Sequence, residues 1–169
     1  MPKNLELKAR VSSISDAIRT ARLLPARSKG VLRQRDIYYN VSRGRLKLRI
    51  IDDHPAELIF YNRPNRKGSR YSNYFVLPLS NARLSNELYT AAFGQKVTVE
   101  KKRHLFLYKN ARIHLDEVVK LGTFIEFEVL VKYGVRQAHN LMAYLCMEFA
   151  ITQASTTGFS YSDLLLHKK

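Results

Sequence analysis

Glu126 and Glu128 stand two residues apart, as do Lys101 and Arg103, while Arg45, Lys47 and Arg49 alternate with Leu46 and Leu48. In a strand, residues two apart share a face. The glutamate pair would then aim two carboxylates at one place. The Arg-Leu-Lys-Leu-Arg run would set three cations against an aliphatic face. Close carboxylates raise each other's pKa unless a cation separates them. Hard oxygen ligands with few histidines suit Mg²⁺ or Mn²⁺ rather than zinc. Guanidinium and ammonium groups are the usual phosphate binders. A divalent ion and many cations around one cavity is chemistry suited to a polyphosphate.

The same alternation recurs along the chain. Asn4, Glu6, Lys8 and Arg10 alternate with Leu5, Leu7, Ala9 and Val11, and Arg112, His114 and Asp116 alternate with Ile113, Leu115 and Glu117. A single such strand is usually a sheet with one wet face. Several suggest that the charged faces converge. On that reading Lys8, Arg10, Arg45, Lys47, Arg49, Arg63, Arg70, Lys101, Arg103 and Arg112 point inward, opposed by Glu6, Asp116, Glu126 and Glu128, with Asp36 a further candidate. Two unit charges about 4 Å apart repel by roughly 4 kcal/mol at an effective dielectric near 20, so this crowding calls for water, counter-charges and an anionic ligand. His104 and His114 read as ordinary polar residues, because no second His or Cys stands at ligand spacing.

The elements that must position these groups follow from periodicity and punctuation. Strands are expected at 3–11, 32–40, 45–51, 57–63, 69–78, 96–108, 111–118 and 123–131. A helix capped by Ser13 or Ser15 should run to Leu24, one capped by Ser80 should span 81–93, an amphipathic helix should follow at 135–149, and a short one at 160–167. Residues 26–31 read as a basic loop. Short connections make the sheet mainly antiparallel, and eight strands can close and remove the edges. The helices have apolar faces to bury. The economical fold is α+β: a closed eight-stranded antiparallel barrel with a charged, water-filled interior and the helices packed outside on the aliphatic faces.

Composition bounds the rest. A chain of 169 residues, 46% of them hydrophobic, is read as a single domain over 1–169 with its own core. A net charge of +15 and a pI near 10.1 point to an anionic partner. Basic residues with ten Tyr and eight Phe would also fit a nucleic-acid binder, but the interleaved carboxylates would repel a nucleic-acid backbone, so no specific nucleic acid is expected. Cys146 is the one cysteine, which excludes a disulfide scaffold. The start, MPKNLELKARV, has no signal-peptide run, and no stretch approaches the roughly 18 apolar residues of a span. The expectation is a cytoplasmic protein without a membrane partner, as a monomer or homodimer.

The ordered motifs resemble a known family. Asn4-Leu5-Glu6-Leu7-Lys8 is similar to the N-terminal Glu-x-Glu-x-Lys signature of the CYTH superfamily, the triphosphate tunnel metalloenzymes. Asp36-Ile37-Tyr38-Tyr39, the Arg45–Arg49 strand, Arg63-Pro64, Lys101-x-Arg103, Arg112-x-x-x-Asp116, Leu121-Gly122-x-Phe124-x-Glu126-x-Glu128 and Tyr161-x-Asp163-Leu164-Leu165 follow in the family's order. The resemblance implies an eight-stranded tunnel in which Glu6, Asp116, Glu126 and Glu128 hold Mg²⁺ or Mn²⁺. It implies that Lys8, Arg45, Lys47, Arg49, Arg63, Lys101, Arg103 and Arg112 hold the phosphates of a triphosphate compound. With Arg10 and Arg70 added from parity, the substrate-binding set is complete.

Glu6, Lys8, Arg49 and Asp116 are the expected catalytic groups of a metal-dependent triphosphatase. Its substrate would be inorganic tripolyphosphate, thiamine triphosphate or a nucleoside triphosphate. Class IV adenylate cyclase is the alternative in the same family. Its branch often carries a His-Phe pair before the signature, and only three residues precede Asn4 here, which favours hydrolysis. Asn4 replaces the signature's first glutamate. That substitution keeps a third class open, a protein that binds triphosphate or nucleic acid without turnover.

Overall fold

The alternation in Arg45–Arg49 sets the polarity of the whole fold. Leu48 is fully buried and packs with Ile37, Tyr39 and Ala56 beneath a helix that contributes Ala82 and Tyr89. Lys47 and Arg49, on the opposite face, line a central cavity. The computed structural model describes residues 3–168. The elements run β1 (Lys3–Arg10), α1 (Ile14–Leu23), β2 (Arg27–Tyr39), β3 (Arg45–Ile51), β4 (Ala56–Asn62), β5 (Arg70–Leu79), α2 (Ala82–Phe93), β6 (Gln95–Tyr108), β7 (Ala111–Val118), β8 (Gly122–Leu130), α3 (Val135–Glu148), a 3₁₀ turn (Gln153–Ser155) and α4 (Tyr161–Leu166). The strands close into a barrel in the order β1-β5-β4-β3-β2-β6-β7-β8. Every neighbouring pair is antiparallel. This is the inside-out barrel expected from the sequence, and closure leaves no long edge exposed.

The largest core lies outside the barrel. Leu5, Leu7, Ile113, Leu115, Ile125, Phe127 and Val129 project outward and meet Ala17 and Ala21 of α1 and Ala138, Leu141, Met142 and Leu145 of α3. Burying one large aliphatic side chain stabilises by about 1.5–3 kcal/mol, so this shell, not the interior, carries the fold. One end of the interior is apolar as well, where Phe124, Val118 and Leu121 pack with Tyr161 of α4. Among the described residues no helix is long and apolar enough to cross a membrane.

Two local expectations change. Residues 26–31 are not a loop: β2 begins at Arg27 and pairs with the far end of β6, with a register shift between Ser28 and Val31 where Gly30 has φ 91°. The long partner strand supplies the ladder that local periodicity does not signal. The cap of α2 is Asn81 rather than Ser80, its side chain accepting from Leu84 N at 2.9 Å. Turn chemistry holds where it is demanded. Gly44 has φ 65°, and a Cβ there would stand 2.7 Å from the Phe60 ring.

Candidate functional site

The inward faces enclose a cavity of about 350 Å³. It opens on the side of Glu57, Val76 and Arg112, where Val76 is 43% exposed and the Arg112 side chain 40%. The other end is closed by the C-terminal segment, and Ser160 and Tyr161 form part of the lining. Thr156 bridges to Ala9, and Thr157 N–H donates to the Lys8 carbonyl at 2.9 Å, continuing the wall beside β1 where β5 begins. Arg63 Nη1 donates to the Gly158 carbonyl at 3.0 Å, and Arg70 Nη1 to the Gly68 and Thr157 carbonyls, both at 3.3 Å. Gly158 lies so close to Arg66 that a Cβ would meet its backbone at 2.6 Å.

One wall gathers the carboxylates. The register sets Glu6 opposite Glu128 and Lys8 opposite Glu126, then Arg112 opposite Glu128 and His114 opposite Glu126. Lys8 Nζ stands 3.3 Å from Glu126 Oε1, Arg112 Nη1 donates to Glu128 Oε2 at 3.1 Å, and Arg63 Nε lies 3.6 Å from Glu6 Oε2. Burial, reinforced by the Glu128 and Glu126 charges, lifts the Glu6 carboxyl from 4.5 to about 7. Burial also opposes the charge on Glu126, but Lys8, His114 and Arg103 outweigh it and hold that carboxyl well below its usual range. Lys8 is pulled from 10.5 to about 8 by burial. Asn4 lines the same wall, and its Oδ1 is buried without a hydrogen-bond partner among the described residues.

The opposite wall gathers cations around Asp36, which is 1% exposed. Lys47 Nζ and Arg49 Nε donate to it at 3.0 Å, Lys101 Nζ at 3.4 Å and Gln34 Nε2 at 3.0 and 3.1 Å. Burial pulls Lys47 down to about 7. For Asp36, burial would raise the pKa, but Arg49, Lys47 and Lys101 outweigh it and hold the carboxyl well below its ordinary value. Asp36 thus organises a cation cluster and has no oxygen to spare for a metal.

Of the residues singled out from the sequence, Glu6, Lys8, Lys47, Arg49, Arg63, Lys101, Arg103, Arg112, Glu126 and Glu128 line this one cavity. Arg10, Arg45, Arg70 and Asp116 do not. Arg10 lies past the closed end, donating to the Leu121 carbonyl at 3.0 Å and covering the Phe124 ring. Arg45 pairs with Asp163 at 2.8 Å on the outer side of α4. Arg70 is fully buried behind the wall, with Nε and Nη2 unpartnered among the described residues. Asp116 is also fully buried. It takes the Arg103 fork at 2.7 and 2.6 Å and the Tyr161 hydroxyl at 2.8 Å. Its carboxyl lies at about 2, because Arg103 and Lys101 outweigh the opposing cost of burial. Both oxygens being engaged, Asp116 acts on the cavity by fixing Arg103, which also reaches Glu126 Oε2 at 3.2 Å.

Sequence reasoning missed three features. His114 faces the glutamates, a position that parity shows but ligand spacing along the chain does not. Tyr161 closes the deep end, its ring 3.8 Å from Lys8 Nζ. Tyr38, Ile59, Tyr61 and Tyr74 give the cavity a less polar side. The excess positive charge is also not inside. The interior cations are largely matched by carboxylates, while Arg27, Lys29, Arg33, Arg35, Lys96 and Lys102 of β2 and β6 are exposed.

The donor set fits a divalent ion. Glu126, Glu128 and His114 each offer a ligand atom within 4.8 Å of the others, Glu6 stands opposite Glu128 on the same wall, and Asn4 Oδ1 and His114 Nδ1 there are buried without a partner among the described residues.

The family model for the CYTH domain matches residues 2–136. No curated protein matches the sequence. Among solved structures, a Pyrococcus horikoshii protein superposes with a TM-score of 0.82 at 19% identity, covering 95% of this chain and 98% of its own. A candidate adenylate cyclase from Vibrio parahaemolyticus superposes with a TM-score of 0.78 at 17% identity, covering 96% and 97%. A candidate adenylyl cyclase from Hippeastrum, described as revealing a dominant triphosphatase activity, does so with a TM-score of 0.73 at 13% identity, covering 100% and 97%.

Proposed function

The chain belongs to the CYTH domain family, and from that premise we propose that it is a divalent-metal-dependent phosphohydrolase acting on a triphosphate compound. The observation that carries the reading is the facing of two walls across one dead-end cavity. Glu6, Glu126 and Glu128 stand on one side, and Lys47, Arg49 and Lys101 on the other. Glu6, Glu126 and Glu128 would hold Mg²⁺ or Mn²⁺, with Asn4 as a neutral oxygen donor. The ion would neutralise charge on the phosphate oxygens.

The residues of the chain do the rest. Arg49 and Arg112, the partly exposed cations nearest the opening, meet the incoming anion first. Lys47, Lys101, Arg63 and Arg103 fix its phosphates along the cavity. Lys8 neutralises Glu126 and keeps it from repelling the chain of phosphates. Asp116 and Tyr161 are positioning residues that hold Arg103. Burial of this ring strengthens its pull on charge developing at the transferred phosphoryl group.

A second reading, an adenylate cyclase, draws on the side lined by Tyr38, Ile59, Tyr61 and Tyr74, which offers an organic group a surface. Incubation with Mg²⁺ or Mn²⁺ and, separately, tripolyphosphate, thiamine triphosphate and ATP tests both. Orthophosphate release supports the hydrolase. Cyclic AMP with pyrophosphate would replace that reading with the cyclase. Saturable binding without product would make the protein a triphosphate sensor.

A further inference from the structure

We propose that His114 contributes Nδ1 as a nitrogen ligand to the divalent ion held by Glu126 and Glu128, so that this centre favours manganese over magnesium. The inference rests on the reading that the glutamates hold such an ion. His114 sits mid-strand in β7, directly opposite Glu126 and diagonal to Glu128. Strand pairing therefore sets its place, which makes it more precise than a loop ligand. One ligand atom from each of the three side chains lies within 4.8 Å of the others. Nδ1 is 3.7 Å from Glu126 Oε2 and 3.8 Å from Glu128 Oε1, too far for a hydrogen bond.

The residue is 4% exposed and Nδ1 has no partner among the described residues. A buried nitrogen is seldom left so without a reason. Neighbouring ligands each about 2.1 Å from one ion stand roughly 3 Å apart, so the imidazole would need to approach each glutamate by less than about 1 Å. The carboxylates are oriented for it. Arg112 takes Glu128 Oε2, leaving Oε1 turned toward the ring, and Glu126 Oε2, the oxygen nearest the ring, takes a single bond from Arg103 at 3.2 Å, which leaves it a second lone pair for the ion. With its proton on Nε2, the imidazole presents a lone pair to the same point. An all-oxygen set suits Mg²⁺, whereas one imidazole among carboxylates shifts the balance toward later divalent ions such as Mn²⁺.

The test is pulsed electron paramagnetic resonance on untagged protein loaded with Mn²⁺ alone, prepared with natural-abundance histidine and with ¹⁵N-imidazole histidine. Nitrogen modulation that changes on labelling is expected, and its absence from His114→Gln confirms the residue. Calorimetric titration should show that His114→Gln weakens Mn²⁺ about tenfold and Mg²⁺ less, lowering the preference. Bound Mn²⁺ without nitrogen modulation in the wild type overturns the role of His114 and leaves the glutamate site standing. Failure of wild-type protein to bind Mn²⁺ overturns both. The wild-type spectrum decides even where the variant fails to fold.

Discussion

Replacing Glu6 by Gln should stabilise the metal-free protein at pH 8 and do so much less at pH 5. Burial, with Glu128 and Glu126 adding to it, raises this carboxyl from 4.5 to about 7. Between those values the folded protein keeps a proton that the unfolded chain has lost. For an acid whose folded pKa lies above its unfolded one, stability falls as pH rises through that window, and the loss is complete above about 7. The shift corresponds to roughly 3 kcal/mol at about 1.36 kcal/mol per unit. For a domain of this size that is on the order of 6–12 °C in melting temperature. The glutamine side chain is close in shape and cannot ionise, so the variant escapes the penalty. Lys8 and Lys47, lowered to about 8 and about 7, titrate in both proteins. Urea midpoints of wild type and Glu6→Gln at pH 5 and 8, with chelator present, read the difference. Added Mn²⁺ should then restore stability to the wild type far more than to the variant. A gap constant within about 0.5 kcal/mol between the two pH values would refute a charged Glu6 in this buried cluster.

Tripolyphosphate at about 100 times its dissociation constant should add roughly 2.7 kcal/mol of stability and outperform orthophosphate and sulfate at matched ionic strength. Equal thermal shifts for all three would point to the outer basic surface instead. Asn4→Glu should tighten divalent-metal binding in calorimetry by adding a carboxylate to the wall of Glu6 and Glu128, and unchanged affinity and stoichiometry would remove Asn4 from the metal shell. Nucleic acid should bind weakly through the exposed cations of β2 and β6 and be lost steeply with salt. A sequence-dependent complex surviving about 0.2 M salt would establish a nucleic-acid function.

The barrel was legible because its polarity is written twice, in charged residues at every second position and in helices with apolar faces to cover. The cavity residues were legible by the same parity. Parity does not say where a cavity ends, however. Arg10 and Arg45 keep the inward spacing of their strands, yet lie beyond the point where the C-terminal segment enters. Nor does it say which inward acids are already engaged, so Asp116 read as a metal ligand although Arg103 and Tyr161 occupy it. His114 was passed over for the opposite reason. Its neighbours Glu126 and Glu128 are fixed by cross-strand register, not by spacing along the chain.

The family match stops at residue 136, yet residues after it complete the cavity. Tyr161 anchors Asp116, and through it Arg103. Asp163 draws Arg45 away from the interior, and the carbonyls of Thr157 and Gly158 hold Arg70 and Arg63. None of these contacts needs a substrate, and each decides which cations remain free to meet one. The outer apolar shell supplies the stability that lets such a crowded interior persist. Two relatives can therefore share the barrel and its charged strands while their closing segments leave different cations and different space at the deep end. On the proposed reading, that end would set how far the phosphates of a triphosphate slide past the glutamates. It would thereby set which phosphorus atom a nucleophile reaches.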